Sequence, residues 1–191
     1  MIDIFPNITD NFALNFLNTR LMRNGKVIEL IQSVENLKEW SESPIEKSSS
    51  YNTQLSIFST YIEGIDTLDP VITFRNYLHE LLVSFINREV TENEIKELIE
   101  EETLANPFSL IFVDKKVIYV PTKNGLEGIK ALVFLSLSEL IESKELNKIS
   151  RCANDSCPLL FINKNGRRKW CSMKICGNRS KVERFENKKN K

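Results

Sequence analysis

Histidine is almost absent from this chain: His79 is the only one in 191 residues. A single imidazole, without a cysteine, serine or carboxylate at a telling spacing, is a poor basis for acid–base or nucleophilic catalysis. The six glycines form no phosphate-cradling loop, and there is no Gly-x-Ser-x-Gly elbow and no metalloprotease helix. The chain is therefore not expected to be an enzyme. No stretch approaches the roughly 18 uninterrupted apolar residues of a membrane helix, so no membrane partner is expected. Met1 to Ala13 carries Asp3 and Asp10 and no early basic cluster, which does not fit an export signal. A cytoplasmic location is the expectation.

Cysteine is missing from the first 151 positions and then abundant. Cys152, Cys157, Cys171 and Cys176 form two pairs, each with four residues inside the pair and thirteen between the pairs. In a reducing compartment, clustered cysteines more often hold metal than form disulfides. The formal charge is zero but unevenly spread. Of 26 basic and 26 acidic residues, 12 and 3 fall from Arg151 onward, leaving 14 and 23 before it. Such asymmetry fits a basic nucleic-acid or phosphate-binding tail on an acidic body, or else a merely solvated charged tail, or one that docks on that body.

Residues 1–148 read as a mostly helical domain with one β-hairpin. Phe12, Phe16, Leu17 and Leu21 give helical periodicity over 11–22, with Asp10 as the expected N-cap. Ser33 opens a short helix through Leu37 and Trp40, ended by Pro44, and residues 51–68 lean towards a helix. Asp69-Pro70 starts a core helix over 70–88, with His79 and Glu80 expected at its solvent side or edge. Thr91 and Glu94 fit a capping box for the next helix. Residues 108–113 and 117–120 are the convincing strands, a hairpin over 108–121 that should pack against the helices. The apolar run from Leu126 to Leu146 should be the central packing helix.

Residues 149–191 read as a small metal-held module. About forty residues cannot bury enough surface to fold alone, so a metal cross-link is expected. Two close pairs of thiolates satisfy the tetrahedral geometry of zinc, and with all four positions taken by cysteine the single ion would be structural. Disulfides, an iron–sulfur cluster and unrelated thiols are the rivals; compartment argues against the first, cationic flanks and spacing against the second. Residues 158–162 and 167–170, joined by Asn165-Gly166, should form a hairpin between the pairs. A helix starting at about 176–178 should put Val182 and Phe185 on one face and Lys181, Arg184 and Lys188 on another. Hairpin, zinc and helix would make a treble-clef-like arrangement. The fold class is therefore mainly α with a small β-hairpin (α+β), ending in a four-cysteine zinc finger.

The run Trp170-Cys171-Ser172-Met173, continuing to Cys176-Gly177-Asn178-Arg179 and Lys181, resembles the CGNR zinc-finger family of bacterial proteins. Cys152, Cys157 and Phe161 fit the same pattern. Members of that family carry the finger after an N-terminal domain called ABATE, associated with stress-induced transcription regulators. Residues 14–19, 37–40 and 74–78 resemble segments of that domain more loosely. Asn163 stands where the family usually has an aspartate. The resemblance implies zinc at the four cysteines and a role in transcription.

The expected function is a DNA-binding regulator. Its DNA contacts would be Arg167, Arg168, Lys169, Lys174, Arg179, Lys181, Arg184 and Lys188, chiefly to phosphates, which carry no sequence information, with Arg179 or Lys181 as the candidates to reach base edges and an Arg179–Glu183 pair one turn apart as the structural alternative for Arg179. The body would sense a small effector or pair two copies of the chain, with Asn18, Arg20 and Arg75 as candidates for a polar pocket. The alternative is a zinc-stabilised protein-interaction module whose basic surface meets an acidic partner.

Overall fold

The computed structural model describes residues 5–23, 26–43, 49–113 and 116–181. At its centre lies a short helix, α1 (Phe12–Leu17), in which every residue is buried. Its N-cap is Asn11 rather than Asp10: the Asn11 side chain accepts the Leu14 N–H. The same side chain donates to the backbone and hydroxyl oxygens of Ser136, whose hydroxyl also accepts the Ala13 N–H. Phe12 and Phe16 build an aromatic cluster with Trp40, Phe58 and Phe74, ring centroids 5.1 to 6.2 Å apart. Tilted and edge-on pairs of this kind add to the plain burial of their area.

The helix expected over 11–22 stops at Leu17. Asn18 ends it, Thr19 turns its hydroxyl back onto the Phe16 carbonyl (2.8 Å), and the chain becomes β1 (Arg20–Arg23), paired antiparallel with β2 (Lys26–Glu29). The Asn24-Gly25 turn lies outside the described residues. Tertiary contacts override helical periodicity here, because the Asn18 side chain is taken up by a strand far away in sequence, as described below.

Five longer helices follow α1, and the third, fourth and sixth helices of the chain pack against it. Ser33 caps α2 (Val34–Ser41) as its position suggests; Pro44 lies outside the described residues. The ambiguous stretch is a helix, α3 (Ser49–Ile62). Pro70 sits in the first turn of α4 (Asp69–Ile86), with Leu68 one residue ahead of the expected cap. The capping box forms on α5 (Glu92–Ala105): Glu94 N–H donates to Thr91 Oγ1 and Thr91 N–H to Glu94 Oε2.

The hairpin forms in register, β3 (Phe108–Val113) against β4 (Lys116–Pro121). The apolar helix α6 (Gly125–Glu142) packs on α1, α3, α4, α5 and β4, the central position expected of it. Tyr61 pins the base of the hairpin by donating to the Pro121 carbonyl (2.5 Å). Its ring lies in a slot over Gly128, where an added Cβ would stand 2.3 Å from Tyr61 Cδ1. The expectation that the hairpin packs on the helices holds only for this base. Leu110, Ile111, Phe112, Val113, Val117 and Tyr119 are exposed.

After a 3-10 turn at Leu146–Lys148, β5 (Ile149–Arg151) pairs antiparallel with β6 (Leu160–Ile162). This replaces the expected hairpin between 158–162 and 167–170. Residues 163–170 form no strand. The Asn163 side chain ties them into a loop instead, accepting the Arg168 N–H (3.1 Å) and donating to the Arg168 carbonyl (3.0 Å). An aspartate at that position could accept but not donate.

Candidate metal centre

Local backbone geometry presents each sulfur. Cys152 follows β5 directly. Asn154 then turns the chain twice over: its side chain accepts the Ser156 N–H and its carbonyl accepts the Cys157 N–H (2.8 Å). Across the site, Ala153 N–H donates to the Lys169 carbonyl, which brings the first pair beside the segment leading to Cys171. Beyond Cys171, the Ser172 hydroxyl caps a π-type turn, Met173–Gly177, by accepting the Ile175 N–H (3.0 Å). The Ser172 carbonyl accepts from both Cys176 and Gly177, so the turn carries Cys176 back towards the other three cysteines. The helix expected from about 176–178 thus begins earlier, at Met173, and helical residues continue through Lys181.

All four sulfurs lie within 4.8 Å of one another, and all four residues are buried. Cys157 Sγ and Cys171 Sγ are 3.8 Å apart. A tetrahedron of zinc–sulfur bonds of about 2.3 Å has edges of about 3.8 Å, so the cluster has the dimensions of one four-coordinate ion. Cys171 N–H points at Cys152 Sγ (3.4 Å), the kind of backbone contact that steadies a thiolate. Hydrogen bonds from Cys157 and Cys171 pull the Cys152 pKa down to about 2, whereas the bond to Cys152 pushes Cys157 up to about 12. Cys171 is raised by the same bonding and Cys176 by burial. Thiols must lose their protons to hold a divalent cation, so metal binding at this site would release protons. The geometry and donor set define a closed four-cysteine metal site of the zinc-finger class.

The CGNR zinc finger family model matches residues 148–189. No curated protein matches the chain.

Strand β6 joins this centre to the body. Leu159 and Phe161 point into the cysteine cluster, while Leu160 and Ile162 belong to the body's core. That is the period of two of an extended chain, with apolar residues on both faces. Ile8 and Leu21 of the body pack against the cysteine side. Asn18 closes the edge of β6: its amide donates to the Leu160 carbonyl (2.8 Å) and accepts the Leu160 N–H (2.9 Å), standing in for a peptide group. His79, expected at a solvent-facing edge, is buried, and its Nε2 meets the Pro158 carbonyl at 2.7 Å. Burial, with Arg20 nearby, lowers its pKa from the ordinary imidazole value. Neither contact was foreseeable, since each pairs a side chain of the body with a backbone group over 70 residues away.

The pocket candidates separate. Asn18 is fully committed to Leu160. Arg75 is 1% exposed and grips Glu29 with two bonds of 2.5 and 2.6 Å, adding Thr19 Oγ1 and Asn76 Oδ1. Arg20 is partly buried, and burial and the Arg75 charge lower its pKa. Its Nε and Nη2 are buried without a hydrogen-bond partner among the described residues.

The cations of the finger also divide. Arg168 is folded onto the finger: its guanidinium stacks 4.4 Å over the Phe161 ring and donates to the Trp170 and Cys171 carbonyls. Arg167, Lys169, Lys174 and Lys181 are exposed, and Arg179 is partly so. None of these five forms an ion pair with a described residue. Arg167, Lys169, Trp170 and Met173 border a groove of about 600 Å³. Arg184, Lys188, Val182, Glu183 and Phe185 lie outside the described residues.

Proposed function

We propose that the chain is a zinc-dependent DNA-binding transcription regulator of the bacterial cytoplasm. One structural zinc at Cys152, Cys157, Cys171 and Cys176 holds a treble-clef-like finger, and the finger delivers cations to DNA. The observation that supports this best is the set of cations, Arg167, Lys169, Lys174, Arg179 and Lys181, that form no ion pair with another described residue, on a segment fixed by the sulfur cluster. Cations outside ion pairs can replace phosphate counterions. Arg168 serves the shape of this surface rather than the contact. Arg184 and Lys188 extend the charge along the chain.

In this reading the body is an ABATE-type domain that senses an effector or pairs two copies, in a stress response. Of the pocket candidates, Arg20 retains unsatisfied donors, which suits an anionic effector. No catalytic role is assigned. The protein-interaction reading stays in view because the acidic body and basic finger are already packed together through β6.

Fluorescence anisotropy with duplex DNA tests the reading. Five phosphate contacts predict a slope of about −4.5 in log K against log salt, so affinity should fall about 500-fold between roughly 50 and 200 mM salt. No binding at the lower salt would favour the protein-interaction module.

A further inference from the structure

The groove on the finger is lined by Arg167, Arg168, Lys169, Trp170, Ser172 and Met173. Its two large apolar members are held in place at the surface. Trp170 packs on the cysteine cluster yet stays partly exposed. Met173 is 48% exposed, and its thioether lies across Gly177: a Cβ added there would stand 2.5 Å from Met173 Sδ and 2.8 Å from its Cε. A glycine at that point is what lets the methionine lie flat over the turn. Arg167 and Lys169 are exposed and form no ion pair with a described residue. No acidic side chain is among the described residues that line the groove.

Cations around an aromatic and a thioether, with no carboxylate between them, favour an anion that also carries a flat apolar face. A nucleotide has both: its base stacks on aromatic side chains while its phosphates meet Arg and Lys. The groove's volume, about 600 Å³, falls within the roughly 300–1,000 Å³ of sites that hold small molecules. In a stacked duplex each base face is hidden between its neighbours. Only an unpaired nucleotide can offer that face to Trp170.

We infer that the finger takes an unpaired DNA base into this groove, stacked on Trp170 beside Met173, with the flanking phosphates on Arg167 and Lys169. The inference rests on the DNA-binding reading and specifies the form of DNA that the finger holds. A surface of cations alone follows charge density, which is higher along a duplex than along a single strand. Stacking on Trp170 adds a contact that the single strand makes and the duplex does not.

Fluorescence titration of the full-length, zinc-loaded protein tests it, with single-stranded oligothymidylate of about ten nucleotides and with a duplex of the same length. The chain has two tryptophans, and Trp40 is fully buried, so quenching by a stacked base reports Trp170. The single strand should quench the emission as it saturates the protein, and the duplex should not. Trp170→Ala should weaken single-strand binding about 5- to 150-fold, with duplex affinity and zinc content unchanged. Trp170→Phe, which keeps a ring, should retain most of the affinity. Single-strand binding that saturates without quenching overturns the inference, whether or not the alanine variant folds. An alanine variant that keeps its zinc and binds the single strand as tightly as the wild type overturns it too. Duplex binding without single-strand binding overturns this inference and leaves the DNA-binding reading standing, whereas binding of neither overturns both.

Discussion

Replacing Asn18 with alanine probes how strongly the body holds the finger. The side chain is fully buried and satisfies both backbone groups of Leu160, at 2.8 and 2.9 Å. Alanine leaves that N–H and C=O buried without partners. Each unsatisfied group costs about 1–3 kcal/mol, and partial relaxation brings the pair to about 3 kcal/mol. For a chain of this size the loss lowers the melting temperature by about 6–12 °C. Zinc binds only the folded finger, so the same loss should weaken zinc affinity by up to about a hundredfold or somewhat more. Thermal unfolding followed by circular dichroism reads the first quantity, and competition with a chromophoric chelator reads the second. A melting temperature within about 1 °C of wild type, together with unchanged zinc affinity, would refute the role assigned to this clamp.

The remaining predictions concern metal, charge, pH and packing. Elemental analysis should find about one zinc per chain, and Cys171→Ser should lose it and open residues 151–181 to protease. Arg167→Glu with Lys169→Glu should abolish duplex binding while zinc content holds; unchanged affinity would move the contact surface elsewhere. His79 has a folded pKa below its unfolded value, so the unfolded chain binds the extra proton. Stability should therefore fall as pH drops below about 6.5 towards the folded pKa, and His79→Gln should remove that part of the decline. Gly128→Ala should displace the Tyr61 ring from its slot and cost about 1–3 kcal/mol, read by denaturant unfolding.

The helices were legible because their signals are local. Ser33, Pro70 and the Thr91–Glu94 box act within one turn, and each marks its helix start to within a residue or so. The four-cysteine cluster was legible for the same reason, since spacing alone nominates the residues that come together. What sequence could not show was where a side chain finds a distant backbone partner. Asn18 ends α1 early because Leu160 needs it, and that contact spans 142 positions. The apolar run from Pro158 to Ile162 suggests a strand, and Leu160–Ile162 is one, but its partner is β5 rather than residues 167–170. Arg168 looked like one more surface cation because nothing in its neighbours announces that it will lie on Phe161.

The alternation along β6 makes this finger unsuited to transplantation as a detachable cartridge. Cut away from residues 1–148, it would carry Leu160 and Ile162 bare on its outer side. A single inserted residue just before the strand would swap the two sets of side chains, starving the sulfur cage and the helical bundle of their fillers at once. Length between Cys157 and Phe161 is thus a quantity that both halves of the molecule measure, and deletions there should be tolerated worse than almost any loop change.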